Sequence, residues 1–124
     1  MWVNRREMAR EIAGRLKNHL GNDIEVRGVG RFGAAMEKEA REIMKASTAS
    51  KQNVLLLIDS IEQISDVEPA IVDSRKQGFK RIILGVGVMP STLVEPVKKI
   101  SNELFVLLVP RFFRATGQYF AGVD

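Results

Sequence analysis

Apolar residues along the chain follow two different periods. Between Asn4 and Leu20, Met8, Ile12, Leu16 and Leu20 recur every four residues with Ala9 and Ala13 beside them, while Arg5, Arg6, Arg10, Arg15 and Lys17 lie mostly elsewhere. This spacing predicts an amphipathic helix, stopped by Gly21 and Asn22. The stretch from Asn53 to Ser60, NVLLLIDS, is instead an uninterrupted apolar run that ends on Asp59. So short a run predicts a strand buried on both faces, the condition of a parallel sheet covered by helices. Arg81 to Val88 and Glu103 to Val109 read the same way, and Ile24 to Arg27 as a shorter strand. Helices are predicted between these strands. One runs from Ala34 to about Ala46; a second opens on a capping box of Ser65 and Glu68 and runs to about Gln77; a third opens on Thr92 and Glu95 and runs to about Ile100.

Strict alternation of helix and strand predicts an α/β three-layer sandwich with a parallel sheet of about four strands, in a single domain spanning 1–124. The 124 residues suffice to bury a core without staples. With no cysteine, disulfides, thiolate metal sites and a Cys nucleophile are excluded. No apolar run approaches a membrane span and MWVNRREMAR lacks the apolar core of a signal peptide, so the expectation is a cytoplasmic protein without membrane attachment. A net charge of +4 favours anionic partners without identifying one.

Ligands of open α/β sheets bind beyond the carboxyl ends of the strands, which makes Asp59 a candidate; capping of a strand or helix is the alternative. Gly28, Gly30 and Gly33 match a G-x-G-x-x-G spacing between a strand and a helix, where amides can hold a phosphate and Arg31 can add a bidentate contact. A tight turn without ligand explains the same glycines. No acid follows at the distance a dinucleotide site requires. Asp59, Glu62 and Asp66 would share a face if their segment were helical, and could then take Mg²⁺; a solvated acidic turn is the alternative. His19, the single histidine, has no evident catalytic or metal partner. In the tail, Phe112, Phe113, Tyr119 and Phe120 offer base stacking beside Arg111 and Arg114, or else core packing or a subunit contact.

The blocks WVNRREMAREIAGRL, VRGVGRFGAAMEKEA, VLLLIDS, QGFKRIILGVGVMPSTLVEPV and VPRFFRATGQYF, in that order, resemble those of type I phosphoribosyltransferases, particularly small bacterial and archaeal members. The resemblance implies that Gly30, Arg31, Phe32, Gly33 and Ala34 form the loop that holds pyrophosphate, that Asp59 is the catalytic-site acid, and that Phe112, Phe113 and Tyr119 meet a base or a partner. Two departures stand out. The family's paired acids and closing Thr-Gly fall on Ile58, Asp59, Gln63 and Ile64, so one identity of four is kept. A β-branched residue fits poorly where a phosphate cradle turns tightly, and Glu62 adds negative charge there. The second departure is that 47–52, STASKQ, replaces a strand and a mobile lid that would shield a water-sensitive reaction.

The resulting expectation is a phosphoribosyltransferase-related protein with impaired catalysis that binds a phosphorylated metabolite or nucleotide at Gly30 to Ala34, with Mg²⁺ as the conceivable cofactor. The alternatives are an active phosphoribosyltransferase using phosphoribosyl pyrophosphate and a basic nucleic-acid-binding scaffold. Loss of the strand also predicts simple strand order with all three later helices on one face. The other face, covered only by the first helix and the tail, would then favour a homodimer through that face or through the freed edge of the first strand.

Overall fold

Residues 2, 4–45, 52–110 and 119 are described by the computed structural model of the protein. Helix α1 (Arg5–Leu20) begins where the Asn4 side chain accepts a hydrogen bond from the Glu7 amide at 2.9 Å, satisfying one of the donors a first turn leaves unpaired. Its four-residue repeat places Met8, Ile12, Leu16 and Leu20 on one buried stripe. Strands β1 (Glu25–Gly28), β2 (Asn53–Ser60), β3 (Arg81–Val88) and β4 (Glu103–Leu108) form one parallel sheet in the order β1-β2-β3-β4. Helices α2 (Gly33–Met44), α3 (Glu68–Lys76) and α4 (Val94–Ile100) connect them. The fold is the expected three-layer α/β sandwich.

Alternation along the strands divides the core in two. Leu55, Leu57 and Ile83 face α1 and α2, with Phe105 and Leu107 packed against that cluster. Val54, Leu56, Ile58, Ile82, Leu84 and Val86 face α3 and α4, where Val67, Ile71 and Val97 meet them. Both faces of β2 and β3 are therefore dry, which explains why those strands read as unbroken apolar runs, while β4 is half-buried. The glycines of β3 serve α1: a Cβ on Gly85 would lie 2.9 Å from Ile12 and one on Gly87 would overlap Met8. Alternate strand residues are separated by about 6.6 Å and helix residues four apart by about 6 Å, so the two rows stay in step.

The expectation that all later helices share a face is overturned, because α2 lies beside α1, opposite α3 and α4. In a sheet of simple order this gives the β1-α2-β2 crossover the opposite hand from the two that follow, against the usual uniform right-handedness. Local contacts hold α2 there. Gly28 and Gly33 touch backbone to backbone, Glu37 accepts from the Gly28 amide at 3.1 Å, Arg41 donates to the Val26 carbonyl at 2.8 Å, and Arg10 of α1 pairs with Glu39 at 3.0 Å. The face expected to carry only the first helix and the tail thus carries two helices, while β4 at the sheet edge stays half-buried.

The two predicted capping boxes are also corrected. Gln63 and Asp66 form the reciprocal box, around a 3₁₀ turn at Ile64–Asp66, so Ser65 lies inside that turn and α3 starts at Glu68. A second 3₁₀ turn, Ser91–Leu93, precedes α4, whose start carries no side-chain cap. In both places a short polar segment tightens before the helix, and the 3₁₀ turn absorbs the residue expected to cap it.

Candidate functional site

Two strand-to-helix turns lie side by side at the carboxyl ends of β1 and β2. In the first, the Val29 amide extends the ladder to the Leu57 carbonyl at 2.8 Å, and Gly30 then turns with φ of +89°. The Gly33 amide closes the turn on the Gly30 carbonyl at 3.1 Å. A Cβ on Gly28 would overlap the Gly33 carbonyl, so glycine at both positions lets α2 start directly against the strand. Phe32 precedes α2 without any side-chain cap and packs against the α1–α2 core. The Arg5 guanidinium lies over its ring at 4.1 Å from the centroid, and that of Arg31 at 5.6 Å, both within cation–π range.

The second turn is filled by its own acids. Asp59 Oδ1 accepts from the Ser60 amide at 2.9 Å, and its Oδ2 pairs with Arg5 Nε at 2.8 Å, with the two side chains 20% and 12% exposed. Asp66 Oδ2 accepts from the Glu62 and Gln63 amides at 2.9 and 3.1 Å. The segment is a strand end, a turn and a 3₁₀ turn, so the helical face imagined for Asp59, Glu62 and Asp66 is absent. Both Asp59 oxygens and one of Asp66 already accept hydrogen bonds, and no grouping of three metal-binding side chains occurs among the described residues.

Between the turns lies a cleft of about 340 Å³ lined by Arg5, Gly30, Ile58, Asp59, Ser60 and Asp66. Of the residues expected to hold phosphate, Gly30 lines this cleft. Arg31 and Ala34 are exposed beside it, Phe32 is half-buried and Gly33 is buried in the α2 start. Asp59 lines the same cleft as Gly30. Phe112 and Phe113 lie outside the described residues. Tyr119 is buried in the α1–α2 core, and its carbonyl accepts from the Trp2 amide at 3.1 Å. A larger cavity of about 640 Å³, lined by Trp2, Glu11, Arg15 and Leu107 among others, contains none of the expected site residues.

Arg5 is the wall residue whose pairing with Asp59 sequence reasoning did not anticipate. It stands three positions before Met8, which crosses Gly87, so the first turn of α1 necessarily overlies the carboxyl ends of the strands. An arginine at the start of a helix carries a charge that opposes the dipole, and the Asp59 carboxylate offsets it here.

No protein-family model matches the chain, and no curated protein matches it in sequence. Among solved structures, the crystal structure of TT1426 from Thermus thermophilus is similar with a TM-score of 0.77 at 18% identity, over 97% of this chain and 90% of that one. At that identity the likeness shows the fold alone. It accords with a four-stranded parallel sheet between two helical layers.

Proposed function

We propose that the chain is a phosphoribosyltransferase-related protein with impaired transferase chemistry, which binds the phosphate or pyrophosphate group of a small metabolite or nucleotide at the β1–α2 turn. The observation that carries this reading is the shared cleft: Gly30, in a positive-φ conformation that favours glycine, and Asp59 line one space of about 340 Å³ at the carboxyl ends of adjacent parallel strands. Arg31, exposed on the same turn and without an ion pair among the described residues, supplies a cation for the anion. The impaired chemistry follows from Asp59. A carboxylate bound to Arg5 and to its own neighbour's amide is poorly placed to engage a sugar hydroxyl or steady a cationic sugar.

Of the arginines a nucleic-acid reading would use, Arg5 and Arg10 are paired with Asp59 and Glu39, Arg6 is exposed, and Arg111 and Arg114 lie outside the described residues. Calorimetric titration with pyrophosphate, nucleoside monophosphates and phosphoribosyl pyrophosphate tests the proposal. At least one should bind and lose about tenfold or more with Arg31→Ala. Absence of binding by all three, or binding indifferent to Arg31, rejects it.

A further inference from the structure

Helices α3 and α4 each return the chain from the carboxyl end of one parallel strand to the amino end of the next, so both finish at the end of the sheet away from the cleft. The last turn of α3 carries Arg75 and Lys76, that of α4 carries Lys98 and Lys99, and Lys80 follows in the loop into β3. All of these cations are exposed. Arg75 donates to the Ile100 carbonyl at 2.9 Å, which ties the two helix ends together. Asp73, which accepts from Gln77 at 2.7 Å, and Glu95, 3.6 Å from Lys98, offset part of the charge. Lys76, Lys80 and Lys99 have no ion pair among the described residues. The starts of the same helices have the opposite sign, with Glu62 and Asp66 before α3, Glu68 in its first turn and Glu95 in that of α4. A cation near each helix end answers the dipole, but that effect fades beyond the last turn and does not reach the loop that holds Lys80.

We infer that this basic end of the α3–α4 layer is an interaction surface for the phosphate backbone of a nucleic-acid duplex, contacted without regard to base sequence. The inference is independent of the proposed anion site, since the surface uses none of its residues and lies at the other end of the strands. Lysines carry compact charges on flexible stems and answer charge density, not the planar geometry by which arginine selects carboxylates. A duplex supplies that density: with about one charge per 1.7 Å of axis, two helix ends about 10 Å apart face about six phosphates. Phe79, the aromatic residue next to Lys80, is buried and its ring carries the Arg27 guanidinium at 5.0 Å, so it offers no platform for an unstacked base. Among the described residues, Val72 is the large hydrophobic exposed on these helices, less than the apolar face that holds a helix in a membrane interface. A duplex held here leaves the cleft open at the opposite end.

Fluorescence anisotropy of a labelled DNA duplex of mixed sequence, titrated with the full chain at several salt concentrations, tests the surface. Saturable binding is expected, with an affinity whose logarithm falls against that of salt at a slope of about −3 to −4, as for about four phosphate contacts. Lys80→Gln combined with Lys99→Gln should weaken binding at low salt by about tenfold or more and make the slope shallower by about 1.8. Arg6→Gln combined with Lys38→Gln removes the same charge from exposed positions elsewhere and should cost less than about threefold, because screening confines the effect of distant charges. Lys76→Gln alone should cost about threefold and about 0.9 in slope. An unchanged slope in that single variant overturns the inference, whether or not the paired variant folds. Equal losses in the two pairs reduce the effect to net charge and overturn it as well. So does the absence of saturable binding, or displacement of the labelled duplex by poly-L-glutamate more readily than by unlabelled duplex at equal charge concentration.

Discussion

The β1–α2 turn and the β2–α3 turn occupy equivalent places in the fold, each carrying the chain from a parallel strand into a helix, yet they are built from different residues. The first turns on glycine. Gly28 and Gly33 touch, Gly30 takes a positive φ, and no side chain caps α2. The second turns on acids, with Asp59 and Asp66 accepting from the backbone amides of Ser60, Glu62 and Gln63. A turn built on glycine leaves its mouth to a ligand, whereas a turn built on carboxylates has consumed its donors before any ligand arrives. Two adjacent strand ends of one sheet thus differ because of side-chain choice and not topology.

The largest way to break the comparison is to remove the glycine contact. Gly28→Ala puts a Cβ into the Gly33 carbonyl, where backbone meets backbone and neither can yield cheaply, so a loss of about 3 kcal/mol or more in urea unfolding is expected. Gly30→Ala, with open space around it, should cost only the torsional term of about 1 kcal/mol. Equal losses would show that the turn is not held by that contact. Next in size is Arg5→Ala, which leaves the Asp59 carboxylate without its cation and removes the guanidinium over Phe32. As the pair keeps some exposure, about 2 kcal/mol is expected, and Asp59→Asn combined with Arg5→Ala should recover part of it in a double-mutant cycle.

The smallest effect is expected far from both turns, where Arg81 and Glu103 pair at the start of β3 and β4 with His19 of α1 beside them. The hydrogen bond from Arg81, against some desolvation and with help from His19, holds the Glu103 carboxyl below its ordinary value of 4.5. A lowered carboxyl contributes stability that is present above 4.5 and is lost as pH falls through the folded value. Urea titrations should therefore show the difference between wild type and Glu103→Gln shrinking below that pH, with ligand binding at the turns unaffected. A difference independent of pH would remove the pair from the account.

Much of this arrangement is legible in the residues. NVLLLIDS announces a doubly buried strand ending on an acid, and the Gly28 to Gly33 spacing announces a tight strand-to-helix turn. The repeat of α1 gives its buried stripe directly. The face taken by α2 is not legible, because it depends on Glu37, Arg41 and Glu39 reaching β1 and α1, contacts that ordinary charged helix residues do not advertise. The role of Asp66 is hidden for a related reason. Ser65 and Glu68 offer the familiar capping spacing, while the box that forms uses Gln63 and Asp66, two residues earlier. The Arg5–Asp59 pair joins residues far apart in the chain and becomes apparent once α1 is known to cross β3 at Gly85 and Gly87.

Amide chemical shifts of the ¹⁵N-labelled chain, followed while pyrophosphate is added, test the contrast between the turns most directly. The predicted result is saturable movement of the Gly30 to Ala34 amides with the Glu62 and Gln63 amides staying in place, because Asp66 already holds them. Movement of Glu62 and Gln63 with a silent β1–α2 turn, or no saturable movement at either, would contradict it.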